Sequence, residues 1–128
     1  VSHRTRRLAR AATVALAVAV LAGCASDSGG VGLSPAGATE AVDYDYVIPA
    51  GSGERMDAGE RLDLLPAELT VHVGDVIRIA NLDDRGHTVG PFFIGANETL
   101  LQTFTSSGTF EGICTVHPSG QMILTVEP

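Results

Sequence analysis

Beyond residue 41, apolar and polar side chains alternate in short runs separated by turn residues, the period-two signature of half-buried strands. Residues 42–48 set Tyr44 and Tyr46 against Asp43 and Asp45 and stop at Pro49, and Ala50-Gly51-Ser52-Gly53 predicts a turn. Residues 56–65 are acidic and glycine-interrupted, which predicts a loop with one short strand. Leu69, Val71 and Val73 share one face, and the Gly74-Asp75 turn leads into 76–81, so residues 68–82 read as a hairpin. Asp83-Asp84-Arg85-Gly86 predicts a solvated loop, ordered by Asn81, ahead of a short strand at 87–89. Residues 92–94, 100–104, 109–113 and 122–126 complete the set, with 95–97 and 106–108 as turns. About seven short strands and no convincing helix predict an all-β, antiparallel β-sandwich.

The first forty residues follow different rules. Residues 3–10 are basic, and 11–22 form an apolar run too short to span a bilayer but proportioned like a secretory signal. The run ends Leu21-Ala22-Gly23-Cys24, which resembles the lipobox of bacterial lipoproteins. That resemblance implies cleavage before Cys24 and a diacylglyceryl group on its thiol. Residues 25–39 are rich in Ser, Gly, Ala and Pro and lack apolar periodicity, which reads as a flexible tether. The expected division is residues 1–23 as signal, 24–40 as tether behind a lipidated Cys24, and 41–128 as the domain. The expected location is the extracytoplasmic face of a bacterial cell membrane.

Charge narrows the partners. Four of the eight arginines precede the apolar run, whereas all fifteen acidic residues follow it, so the exported part is far more acidic than the whole chain at −7. Such a surface repels nucleic-acid phosphates and anionic head groups, and steers basic partners. A monomer meeting redox proteins is the expectation. Two cysteines ordinarily suggest a disulfide in an oxidising compartment, but Cys24 and Cys114 each have a better separate explanation.

Cys114 is followed three positions later by His117, within Gly112-Ile113-Cys114-Thr115-Val116-His117-Pro118-Ser119-Gly120-Gln121-Met122. A strand would send residues at that spacing to opposite faces, so a turn is needed for thiolate and imidazole to address one ion. His87, after Gly86, can supply a third donor from a neighbouring strand. Two imidazoles, a thiolate and a weak axial donor suit copper in both redox states; zinc with water is the alternative for the same three residues. His72, alternating with Val71 and Val73, is expected to face solvent.

These pieces resemble the plastocyanin, pseudoazurin and amicyanin branch of the cupredoxins, the blue copper proteins, across about residues 44–127. The matching elements are residues 69–77 around Gly74-Asp75, Gly86-His87-Thr88-Val89, and Thr109-Phe110 followed by Cys114, His117 and Pro118. The resemblance implies a Greek-key sandwich holding one type 1 copper ion through His87, Cys114 and His117. Met122, five residues after His117, is the expected axial ligand, with the Gln121 amide oxygen as alternative and no side-chain ligand as a third reading. Aligning the closing strand with short-loop relatives instead puts Gly120 at their methionine position. The implied function is a membrane-anchored single-electron carrier, not an enzyme, with electrons passing His117 beneath a patch of Pro118 and Phe92 or Phe93. The rival is an extracytoplasmic copper carrier or buffer delivering the ion to another cuproprotein.

Overall fold

Period-two alternation produces strands wherever it was read, because each strand can bury one face and solvate the other. The computed structural model describes residues 32–128. In chain order these form β1 (Leu33–Pro35), β2 (Tyr44–Ile48), α1 (Ser52–Asp57), β3 (Glu68–His72), β4 (Val76–Asn81), β5 (His87–Val89), β6 (Phe92–Ile94), β7 (Thr99–Phe104), β8 (Gly108–Ile113) and β9 (Gln121–Glu127). One sheet has the order β1-β7-β4-β2, a second β3-β9-β8, and β5 and β6 form a two-stranded ribbon. The all-β sandwich expected from the sequence is present. It holds nine strands, and two of its pairings, β2 with β4 and β3 with β9, are parallel.

The strands read as a hairpin over 68–82 lie in different sheets. Leu69 and Val71 on one side of the turn, and Val76, Ile77 and Ile79 on the other, are all buried. Each strand fills the space between sheets from its own side, and the chain crosses at Gly74 with φ 97°. That left-handed conformation favours glycine. Val73, past the end of β3, is exposed while its N–H donates to the Glu127 carbonyl at 2.8 Å.

Helix α1 was not legible. Six residues carry too little periodicity, and its N-terminal N–H groups are satisfied from a distance: the Asp83 carboxylate accepts from Gly51 at 3.1 Å and Gly53 at 2.8 Å. β1 falls within the stretch read as tether. It pairs antiparallel with β7, and Leu33 packs on the core.

The core includes Ile48, Val71, Ile77, Ile79, Val89, Phe104, Val116, Met122 and Leu124, all fully buried. Phe92 meets Phe104 edge-on, with ring centroids 6.3 Å apart. Strand directions give the sandwich two poles. The turns after β4, β6 and β8 share one; the turns at 73–75 and 105–107 share the other, joined where Gly74 N–H donates to the Phe104 carbonyl at 2.8 Å.

Candidate metal centre

His87, Cys114 and His117 come to the first pole from three adjoining elements. His87 opens β5, which lies along the end of β8: Val89 bridges Cys114, and Thr115 N–H donates to the Thr88 carbonyl at 2.9 Å. The loop carrying His117 closes when Cys114 N–H donates to the Gly120 carbonyl at 3.0 Å and Gly120 N–H to the His117 carbonyl at 2.9 Å. Gly120 turns the chain at φ 71°. Leu64 N–H braces the loop from outside through the Val116 carbonyl at 3.1 Å.

The Cys114 thiol is sealed from solvent and free. Burial pushes its pKa above the ordinary thiol value, and the Val116 N–H donated to the sulfur offsets part of that shift. The protein therefore stores a protonated thiol that an ion must deprotonate.

Each imidazole sets Nε2 beside a carboxylate and Nδ1 beside a hydroxyl. His87 Nε2 lies 2.7 Å from Asp83 Oδ2, and an ionised carboxylate only accepts, so the N–H sits at Nε2. His87 Nδ1 faces Thr115 Oγ1, 3.3 Å away and one residue beyond Cys114. In His117, Nδ1 accepts the Ser119 N–H at 3.1 Å and lies 2.7 Å from Ser119 Oγ, while Nε2 is 3.7 Å from Asp63 Oδ1. A metal ligand needs a lone pair, and its far nitrogen held by a carboxylate is the usual supporting partner.

Asp83 was expected in a solvated loop and is completely buried. Burial raises its pKa, but the hydrogen bond from His87 and the N–H groups of Gly53, Asp84 and Gly51 outweigh this and hold it below the ordinary value. Asn81 orders the turn as expected: its Nδ2 donates toward the Arg85, Ile94 and Gly95 carbonyls, and its Oδ1 accepts Asp83 N–H at 3.0 Å. The signal for Asp83 was its four-residue spacing from His87. Thr115 and Ser119 carried no comparable signal.

The pleat separates the axial candidates. Gly112 pairs with Met122 and Ile113 with Gln121, so Cys114, Gly120 and Met122 share the inner face, while Gln121 lies outside with exposed Ile113 and Ile123. Gly120 stands directly across from Cys114, and a Cβ there would meet nothing within 4 Å. Met122 is fully buried one inward-facing position further on, with its sulfur 3.2 Å from where a Gly90 Cβ would stand.

The donor set fits a borderline or soft ion in kind. Its atoms are not gathered, however: among the described residues no group of three or more His, Cys, Asp or Glu stands close enough to hold a metal. His117 would have to exchange Ser119 for the ion. Phe93 is exposed, with its ring over Gly86, and Pro118 is exposed, whereas Phe92 is in the core. His72 faces solvent, 3.3 Å from Glu127. Cys24 lies outside the described residues.

A two-sheet β-sandwich with a Cys-x2-His loop closed between its last two strands, and a histidine from the preceding ribbon beside it, is what the sequence resemblance implied. The fold is cupredoxin-like. No family model and no curated protein sequence matches the chain. Solved structures to which it is similar include a mutant of amicyanin in its Cu(I) form, at 26% identity over 73% of this chain and 92% of that one, with a TM-score of 0.42. Amicyanin from Paracoccus versutus is 18% identical over 74% and 97%, with a TM-score of 0.45. A purple cupredoxin from Nitrosopumilus maritimus is 20% identical over 66% and 100%, with a TM-score of 0.42. Among the described residues of this cupredoxin-like chain, no helix is long and apolar enough to cross a membrane.

Proposed function

We propose that this chain holds one copper ion in a type 1 site through His87, Cys114 and His117 and carries single electrons, tethered at the extracytoplasmic face of the membrane by lipid on Cys24. The observation that carries the reading is the pair of imidazoles at one pole, each with its Nε2 toward a carboxylate, beside a buried, unpaired thiol. A copper ion bound there supplies a one-electron couple. Asp83 holds the tautomer and direction of His87, the Val116 N–H stabilises charge on the Cys114 sulfur, and the sealed core excludes water from that sulfur. His117, with 17% of its side chain exposed, is the edge nearest solvent, and Pro118 and Phe93 offer apolar surface for brief docking. Met122 is the axial reading that the pleat supports over Gln121.

Cupric titration of the full chain tests this. An intense visible band and a type 1 electron-spin-resonance spectrum are expected, lost or transformed in Cys114→Ser and His87→Ala. A colourless protein that takes up zinc stoichiometrically in place of copper sinks the proposal.

Copper delivery is the second reading, favoured by the ungathered donors and the hold of Ser119 on His117. An electron carrier keeps cuprous ion through repeated redox cycles. A delivery protein surrenders it within one exchange with a cuprous chelator.

A further inference from the structure

β1 lies inside the stretch that composition alone assigns to the tether, and what it does depends on the lipid-anchor reading of Cys24. Gly32 N–H donates to Ser106 Oγ at 3.0 Å, and the Gly32 carbonyl accepts Thr105 N–H at 2.8 Å. Leu33, Ser34 and Pro35 pair with Phe104, Thr103 and Gln102, and Ala36 N–H reaches the Leu101 carbonyl at 3.3 Å. A Cβ on Gly32 would lie 2.1 Å from Ser106 Oγ, so a larger residue there would displace that hydroxyl. The chain is thus part of the sheet from Gly32 onward.

Only residues 25–31 separate that attachment from Cys24. Fully extended they reach about 28 Å; as a flexible Ser/Gly/Ala chain their typical span is about 16 Å. Gly32 leaves the domain beside Ser106, at the pole of the Gly74-Asp75 turn, where Phe104 N–H donates to the Asp75 carbonyl at 3.0 Å. β4 and β7, each six residues long, separate it from the pole of His87, Cys114 and His117 by ~20 Å. Of the four arginines among the described residues, Arg55, Arg78 and Arg85 pair with Glu60, Asp45 and Asp57, so the acidic surface offers little pull onto anionic lipid beyond Arg61.

We propose that β1 is a clamp that fixes the tether's exit at the pole opposite the candidate metal centre, so that the centre faces away from the bilayer. Its partner is then met in the aqueous space, through a water-exposed face, and not at the lipid surface.

The test uses the full lipidated chain in phosphatidylethanolamine/phosphatidylglycerol vesicles, with a donor fluorophore on exposed Ser107 or exposed Ala96 and an acceptor on the lipid head groups. Ser107 lies at the clamped pole and Ala96 at the metal pole. Transfer is expected to be roughly twofold or more stronger from Ser107, given the ~20 Å separation. Leu33→Asp, which removes the half-buried apolar side chain of β1, should narrow the difference. So should a Gly-Ser insertion between Asp27 and Ser28, which leaves the domain untouched. Equal transfer from both sites in a chain that floats with the vesicles overturns the orientation alone. A chain that neither floats nor carries a lipid mass overturns the anchor reading, and the orientation with it. A difference that survives both variants removes β1 as its cause.

Discussion

His87 and Asp83 share a hydrogen bond of 2.7 Å between side chains that are 2% and 1% exposed, four positions apart on the turn from β4 to β5. The same carboxylate caps α1 through Gly51 and Gly53. One buried charge therefore ties the helix, the turn and a metal-facing imidazole into a single unit. A carboxylate this deep is tolerable only because hydrogen bonds meet both of its oxygens.

Replacing Asp83 by Ala should weaken copper binding by about 10- to 100-fold, the usual effect of removing a ligand's supporting partner. It should also destabilise the fold by about 3–5 kcal/mol, since His87 and two N–H groups lose their acceptor. Asp83→Asn, which keeps an acceptor oxygen, should recover most of the stability. Chelator competition and chemical denaturation read the two effects separately.

Acid should act through the same residue. The folded pKa of Asp83 lies below its unfolded value of 3.8, so its contribution is complete above that value and is lost as pH falls through the folded pKa. Denaturation midpoints of the parent should drop steeply below about pH 4, and those of Asp83→Asn should drop less. Parallel acid profiles would contradict the assignment.

Cys114 predicts a proton count. Its thiol is held protonated by burial, and a thiolate is the ligand, so uptake of copper should release a proton from Cys114 and tighten as pH rises. Titration in weak buffer with a pH indicator measures the release. Cys114→Ser should abolish both the proton and the steep pH dependence.

Ser119 competes with the ion for His117. Its hydroxyl lies 2.7 Å from Nδ1, and Ser119→Ala removes that contact while keeping the backbone donor. Cuprous affinity should rise by about fivefold, corresponding to one hydrogen bond of ~1 kcal/mol. Unchanged affinity, measured against a cuprous chelator, would show that His117 is not restrained by the hydroxyl.

Met122 and Gln121 separate by spectrum. Met122→Leu should shift the visible band of the copper form at a stability cost below about 1.5 kcal/mol, as a volume-conserving core change. Gln121→Leu, on the outer face, should leave the band where it was. A band unmoved by either change would assign the site no side-chain axial ligand.

The legible parts were those encoded locally. Tyr44 to Ile48, Leu69 with Val71, and Met122 with Leu124 and Val126 all announce their faces by alternation, and each is a strand with the expected side inward or partly inward. Cys114 and His117 lie in the turn between β8 and β9 that their spacing called for, although their donor atoms are not gathered. What escaped depended on partners distant in sequence: α1 takes its cap from Asp83, β1 takes its ladder from β7, and the crossing at Gly74 is set by which sheet each flanking strand completes. Asp83 itself looked like solvent-facing charge because its spacing from His87 does not reveal that a helix terminus converges on the same carboxylate.

The parallel pairing of β3 with β9 also governs when the domain can exist. Glu68 to His72 find their mates in residues 123–127, far along the chain, and the same strand holds β8, from which Cys114 extends. Synthesis or translocation that stops short of β9 leaves two strands unpartnered and the ligand loop unclosed. Such long-range closure places folding on the slow, millisecond-to-second side of small domains, so the polypeptide remains threadable until β9 has emerged, and the ligand loop closes no earlier than that strand.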